Sequence, residues 1–227
     1  MNNEAHGLLK ALQQADAFFP SGGTAFSWGI EGLIADRAVD LRSQLAEVLL
    51  GQLKARWAVF DRGVLVSAFD AGDDTTTLAE IDAEVEALLL PAELREGSRR
   101  AGASLLDVHH RLGTRGIEHY VDAVRSGAAL GHLGVAQGCV WRALGMTRLQ
   151  AQSVSAHAFC VAILGAAVRL GAVGHIQSQR ALSAAQELIA TMLTQPAPPL
   201  AACYSFTPQL DIAAMRHERQ SARLFVN

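Results

Sequence analysis

Residues 41–64 read LRSQLAEVLLGQLKARWAVFDRGV. Leu41, Leu45, Val48, Leu49, Leu53, Trp57, Phe60 and Val64 recur along it at spacings of three and four. That period fits the turn of an α-helix and not the two-residue alternation of a strand. The stretch therefore predicts one long amphipathic helix whose apolar stripe faces a core.

The same reading extends outward. Ala71-Gly-Asp-Asp74 breaks the helix, and Thr77 is expected to cap a second one carrying Leu78, Ile81, Val85, Leu88 and Leu89. Pro91 suits the first turn of a third helix, which runs to about Leu112 and stops at Gly113. Further helices are expected over Ile117 to Val124, and from near His132 to near Gly145. Thr147 can cap the helix that contains Ala158 to Leu170 and ends at Gly171. The next carries Ile176, Leu182, Leu188, Ile189 and Leu193, and stops before Pro196. No period-two run is long enough for a strand. The expected fold class is all-α, a single compact multi-helix domain. Its body is expected over residues 1–195. Pro196-Ala-Pro-Pro199 then opens a Pro-punctuated linker, and residues 196–227 are read as that linker plus a C-terminal tail bearing Arg216, His217, Arg219 and Arg223.

Composition narrows the function classes. Charged residues are 18% of the chain, below the usual ~25%, which suits a surface partly covered by partners. The net charge is −3 and lysine occurs only at Lys10 and Lys54, so no basic stripe exists for nucleic acid. Three cysteines, an odd number without short spacing, argue against a disulfide framework and for a reducing, cytoplasmic setting. The N-terminus lacks a basic and apolar leader pattern. The longest uncharged apolar stretch, Val154 to Val168, is short for a membrane span and reads as a buried helix.

Chemistry is sparse. No Walker-type glycine loop precedes either lysine, and no His-Glu-x-x-His is present. His217-Glu218 lacks the second histidine. Pro20-Ser-Gly22-Gly23 reads as a turn rather than a phosphate cradle. His109 and His110 are adjacent, so on a helix they diverge by about 100° and do not share an ion. Cys139 and Cys160 lie within apolar helices and read as core. Glu96 with Arg99 and Arg100 has the spacing of helix-surface ion pairs.

Four ordered segments carry a resemblance. They are Phe19-Pro-Ser-Gly-Gly-Thr-Ala-Phe-Ser-Trp-Gly-Ile-Glu31, Glu93-Leu-Arg-Glu-Gly-Ser-Arg-Arg-Ala-Gly-Ala-Ser-Leu-Leu106, Ala166-Ala-Val-Arg-Leu-Gly-Ala-Val-Gly174, and Leu210 to Phe225 with its His-Glu-x-Gln-x-x-Arg-Leu-Phe ending. Together they resemble the urease accessory protein UreF family. Ala172, Val173, His175 and Gly134 depart from the residues common at those places in the family.

The resemblance implies an all-helical, non-catalytic chaperone that forms homodimers and takes part in urease maturation. It implies partners UreD (UreH), the nickel-carrying GTPase UreG and the urease apoprotein. Nickel and GTP would act through those partners, with no cofactor or metal held by this chain. Residues expected to meet partners are Phe26, Trp28, Arg216, His217, Glu218, Arg223, Leu224 and Phe225. Pro20, Gly22, Gly23, Gly29, Gly171 and Gly174 are expected at turns. Ser98, Arg99, Gly102 and Arg169 are expected on packed helix faces, with Arg169 in a helix's last turn. Two other readings compete: a metal-dependent hydrolase using histidines such as His109 and His217, and a helical interaction module unrelated to urease.

Overall fold

The stripe over residues 41–64 does form a helical rod, but one built in three pieces. In the computed structural model, which describes residues 3–20, 29–35 and 40–217, α3 (Leu41–Gln52) runs into a π-helical segment (Leu53–Asp61) and then into α4 (Arg62–Ala71). Asp40 starts the rod: its carboxylate accepts from Arg42 N at 3.1 Å and from the Ser43 hydroxyl at 2.8 Å. At the end of the π segment the Arg62 N–H reaches back five residues to the Trp57 carbonyl. The periodic reading could not see this change of pitch.

Around the rod lie α1 (Asn3–Ala15), α2 (Ile30–Ala35), α5 (Thr75–Leu88), α6 (Ala92–Arg111) and α7 (Glu118–Ser126). They are followed by α8 (Leu133–Ala143), α9 (Arg148–Arg169), α10 (His175–Leu193), a 3-10 turn (Leu200–Ala202) and α11 (Pro208–His217). Of the described residues 78% are helical, and no strand occurs among them. Most expected boundaries hold within a residue or two. One cap moves. Asp74, not Thr77, caps α5, accepting from Thr76 N and Thr77 N, while the Thr77 hydroxyl merely donates to the same carboxylate at 2.7 Å. Thr147 caps α9 as expected and does so reciprocally, with the Gln150 side chain returning to Thr147 N at 2.8 Å. The C-terminus of α9 closes with Gly171 at φ +66°, where Ala172 N bonds Ala167 O and Gly171 N bonds Val168 O. A side chain with a Cβ is strained at that φ, which accounts for the glycine.

Two apolar clusters make the core. One gathers Phe60, Leu65, Phe69, Leu78, Leu105, Tyr120, Val140 and Trp141; the other gathers Leu45, Leu49, Trp57, Phe159, Ile163, Leu182 and Ile189. The rod and α9 each contribute to both, so these two long elements join the halves. By length and composition α9 is apolar enough to cross a membrane, yet here it is the shared strut of both clusters. The α4–α8 contact is close because α8 offers glycines. A Cβ at Gly138 would lie 2.6 Å from Ala68 Cβ, and one at Gly134 would lie 3.0 Å from Val64 Cγ1. Gly134 thus lies in the packing seam.

Candidate partner-binding site

Glycines place the two ends of the chain together. Gly29, at φ +82°, precedes α2, and a Cβ there would lie 2.7 Å from Leu210 Cδ2. A Cβ at Gly32 would lie 2.7 Å from the Ala213 carbonyl oxygen. Leu210, Ala213 and Ala214 turn inward from α11, whereas Ile212 and Met215 remain about half exposed. The first and last of the four motif segments, about 180 positions apart in sequence, therefore meet at an α2–α11 seam. The N-terminus of α11 is fixed by Thr207 and Asp211: Thr207 N and its hydroxyl donate to the Asp211 carboxylate at 3.3 and 3.2 Å.

The segment leading to α11 is held along its length. Arg62, 4% exposed, donates to Gln152 Oε1 at 2.7 Å, to Met192 O at 3.0 Å and to Gln195 O. A cation on the last carbonyls of α10 is favoured by the helix dipole. A Cβ at Gly63 would collide with Cys203 Sγ and approach Pro198 O at 2.8 Å, so the bare glycine lets this segment lie directly on α4. Tyr204 N bonds Val59 O at 3.3 Å. Arg56 donates to Ser205 Oγ at 3.0 Å.

Arg56 also pairs with Asp61 through Nε at 2.9 Å and Nη2 at 3.3 Å. Five residues on an α-helix would place these two side chains about 140° apart. The π segment's wider turn brings them to one side. Burial pushes the Asp61 carboxyl above its ordinary range, opposed by the adjacent Arg56. The guanidinium lies 4.6 Å from the Phe60 ring centre. Both members of the pair line a cavity of about 420 Å³ running between Gln14, Trp57, Phe159 and Arg169.

The second motif segment builds a different junction. On α6, a Cβ at Gly102 would run into the carbonyl oxygen of Gly131, so the helix sits directly on the α7–α8 loop. Ser98 Oγ accepts from Leu133 N at 3.1 Å and lies 3.1 Å from His132 Nδ1. His132 Nε2 is 2.9 Å from Glu86 Oε2, which only accepts. The ring is therefore the Nε2–H tautomer, and Nδ1 takes the serine proton. Burial lowers the His132 pKa, against the nearby Asp82 and Glu86 carboxylates. Asp82, fully buried on α5, accepts from Tyr120 Oη, Leu130 N, Gly131 N and His132 N at 2.8, 3.1, 2.8 and 2.8 Å. Periodicity gave no hint of Asp82; a lone aspartate on the apolar face Leu78–Ile81–Val85 was the available signal.

The expected site residues fall as follows. Gly29, Ser98, Gly102 and Gly171 occupy packed or turning positions. Arg99 does not pair along its own helix with Glu96; it reaches Glu86 on α5 at 3.4 Å, while Arg100 takes Glu96 at 2.9 Å. Arg169 ends α9 and lines the cavity. Gly174 caps α10 with extended backbone and open space where a Cβ would stand. Pro20 is exposed, Arg216 is exposed on α11, and His217 ends that helix. Gly22, Gly23, Phe26, Trp28, Glu218, Arg223, Leu224 and Phe225 lie outside the described residues.

No group of three or more metal-ligating side chains occurs among the described residues. His109, offered as a catalytic histidine, is 1% exposed and committed: Nδ1 lies 3.0 Å from Thr114 Oγ1 and Nε2 lies 3.1 Å from Gln14 Oε1. Trp141 Nε1 donates to that same Gln14 oxygen, so His109 Nε2 also donates. An apolar face stands free on α1, where Gly7, Lys10, Ala11 and Gln14 turn inward and Leu8, Leu9 and Leu12 are each more than half exposed.

The chain is similar in sequence to known proteins. The family model UreF matches residues 39–186. The urease accessory protein UreF of Trichodesmium erythraeum is 30% identical over 236 residues, spanning all of both chains. That of Paenarthrobacter aurescens is 31% identical over 223 residues, covering 96% of this chain and 97% of its own. Urease accessory protein UreF 1 of Brucella melitensis is 29% identical, covering 97% and 93%.

Proposed function

The chain belongs to the UreF family and is a urease accessory protein, a maturation factor and not a catalyst; from this we propose that it is an adaptor within a nickel-insertion complex. It bridges UreD (UreH) and the GTPase UreG on apo-urease, modulates the GTPase, and works as a cytoplasmic homodimer. Nickel and GTP belong to the partners. The residues 1–195 form the body and residues 196–227 the partner-binding linker and tail.

The observation that carries this reading is the α2–α11 seam. It gathers two motif segments of the family at one place while keeping Ile212 and Met215 outward. Exposed Leu8, Leu9, Leu12 and Phe18 are further surface suited to being covered. The test is co-purification with cognate UreD and UreG, comparing the full chain with residues 1–217. A cut at 208 is less clean, because it also strips α11 from its glycine seat. Loss of the ternary complex and of urease activation on removing residues 218–227 is the expected result. Normal urease maturation by residues 1–217 would discard the tail's role.

A further inference from the structure

The C-terminal segment is held by contacts of two kinds. Gly63 holds its start through close packing on Pro198 and Cys203, and Arg62 donates to Met192 O and Gln195 O just before it. Further on, Tyr204 N bonds Val59 O, and Ser205 is tied by the Arg56 guanidinium, which Asp61 orients. Two residues beyond Ser205, Thr207 begins the cap of α11. A connected path therefore runs from the cavity wall, through Asp61 and Arg56, to Ser205, the cap and the α2–α11 seam.

We propose that the Arg56–Asp61 pair is a latch, created by the π-helical turn, that sets how often residues 203–217 lift from the body. Asp61 holds Arg56 in the one orientation that reaches Ser205. When the carboxylate is engaged elsewhere or lost, Arg56 is left without its fork partner and turns away, and the strap opens from Ser205 toward α11. The outward Ile212–Met215 face then rides on an element that is either seated or free. On the adaptor reading, which this inference rests on, the latch governs how readily α11 is offered to a partner. The position of the pair in the cavity wall makes the latch accessible from inside the protein as well as from its surface.

Native-state hydrogen–deuterium exchange on the full chain tests this. Asp61→Asn and Ser205→Ala are each expected to raise exchange across residues 208–217 about tenfold, the effect of losing one charge-assisted hydrogen bond. The double variant should exchange no faster than the faster single one, because both changes break the same link. Unchanged exchange in α11 for Ser205→Ala overturns the latch, and that mild variant decides the matter should Asp61→Asn misfold. Multiplying effects in the double variant overturn it too. Capture of UreD and UreG is scored separately, so a normal latch without capture counts against the adaptor reading alone.

Discussion

The carboxylate of Asp82 on α5 and the phenol of Tyr120 on α7 meet at 2.8 Å in a part of the core that water does not reach. Burial, together with this carboxylate, pushes the Tyr120 pKa well up, so the phenol keeps its proton and donates. Three backbone N–H groups complete the set around Asp82 and fasten the start of α8. Removing the acceptor orphans all four donors at once. Asp82→Ala is expected to cost about 3–5 kcal/mol, against about 1–2 kcal/mol for Tyr120→Phe, which removes one donor. Urea unfolding midpoints measure both, and equal losses would mean that the backbone bonds contribute nothing.

Gly102 and Gly51 make an opposed pair of substitutions. A methyl at Gly102 meets the α7–α8 loop backbone, while one at Gly51 on the exposed side of α3 meets nothing within 4 Å. Gly102→Ala should destabilise by about 1–3 kcal/mol through overpacking. Gly51→Ala should stabilise by about 0.5–1 kcal/mol through helix propensity and a less flexible unfolded chain. Thermal melts of the two variants should move in opposite directions.

His109 gives the fold an acid-side limit. Burial lowers its pKa from 6.5 to about 4. Between those values the unfolded chain binds the extra proton and the folded one does not, so stability falls as pH falls through that window. The contribution amounts to about 2 kcal/mol between pH 7 and pH 5. Denaturation at the two pH values should show that difference in the native sequence and a smaller one in His109→Gln. Identical pH slopes would assign the acid sensitivity to other groups.

Gly32→Ala addresses the α2–α11 seam. The added methyl would stand 2.7 Å from Ala213 O and 2.9 Å from Ala213 Cβ. The short helix α11 should be displaced while the two main clusters persist. Limited proteolysis should cut within residues 203–217 much faster, with far-UV helicity nearly unchanged. Resistance equal to that of the native chain would show that α2 yields instead.

How much of this was legible in sequence depends on the range of the interaction involved. Periodicity located the rod, α6, α9 and α10, because an apolar stripe is a local property of neighbours on one helix face. Thr147 and Gly171 were legible for the same reason, since caps are formed within a few residues. The π turn was not, because Leu53, Trp57 and Phe60 fit an α-helical stripe well enough to conceal it. Arg99 was assigned to Glu96 by spacing, but Glu86 on a neighbouring helix takes it. The seats of Leu210 and Ala213 depend on glycines nearly 180 positions earlier, and no local pattern reports which distant backbone a missing side chain makes room for.

The π-helical turn also bears on how this chain tolerates length change. Surface loops usually absorb a gained or lost residue, but the rod has none between Leu41 and Ala71. Dropping one residue from α3 would rotate everything beyond it by about 100°. Val64, Leu65 and Ala68 would leave the glycine row of α8, and Gly63 would leave Cys203. Outside the π turn the rod therefore counts its residues: substitutions can be sampled there one at a time, whereas a single-codon insertion or deletion in α3 is expected to abolish the fold.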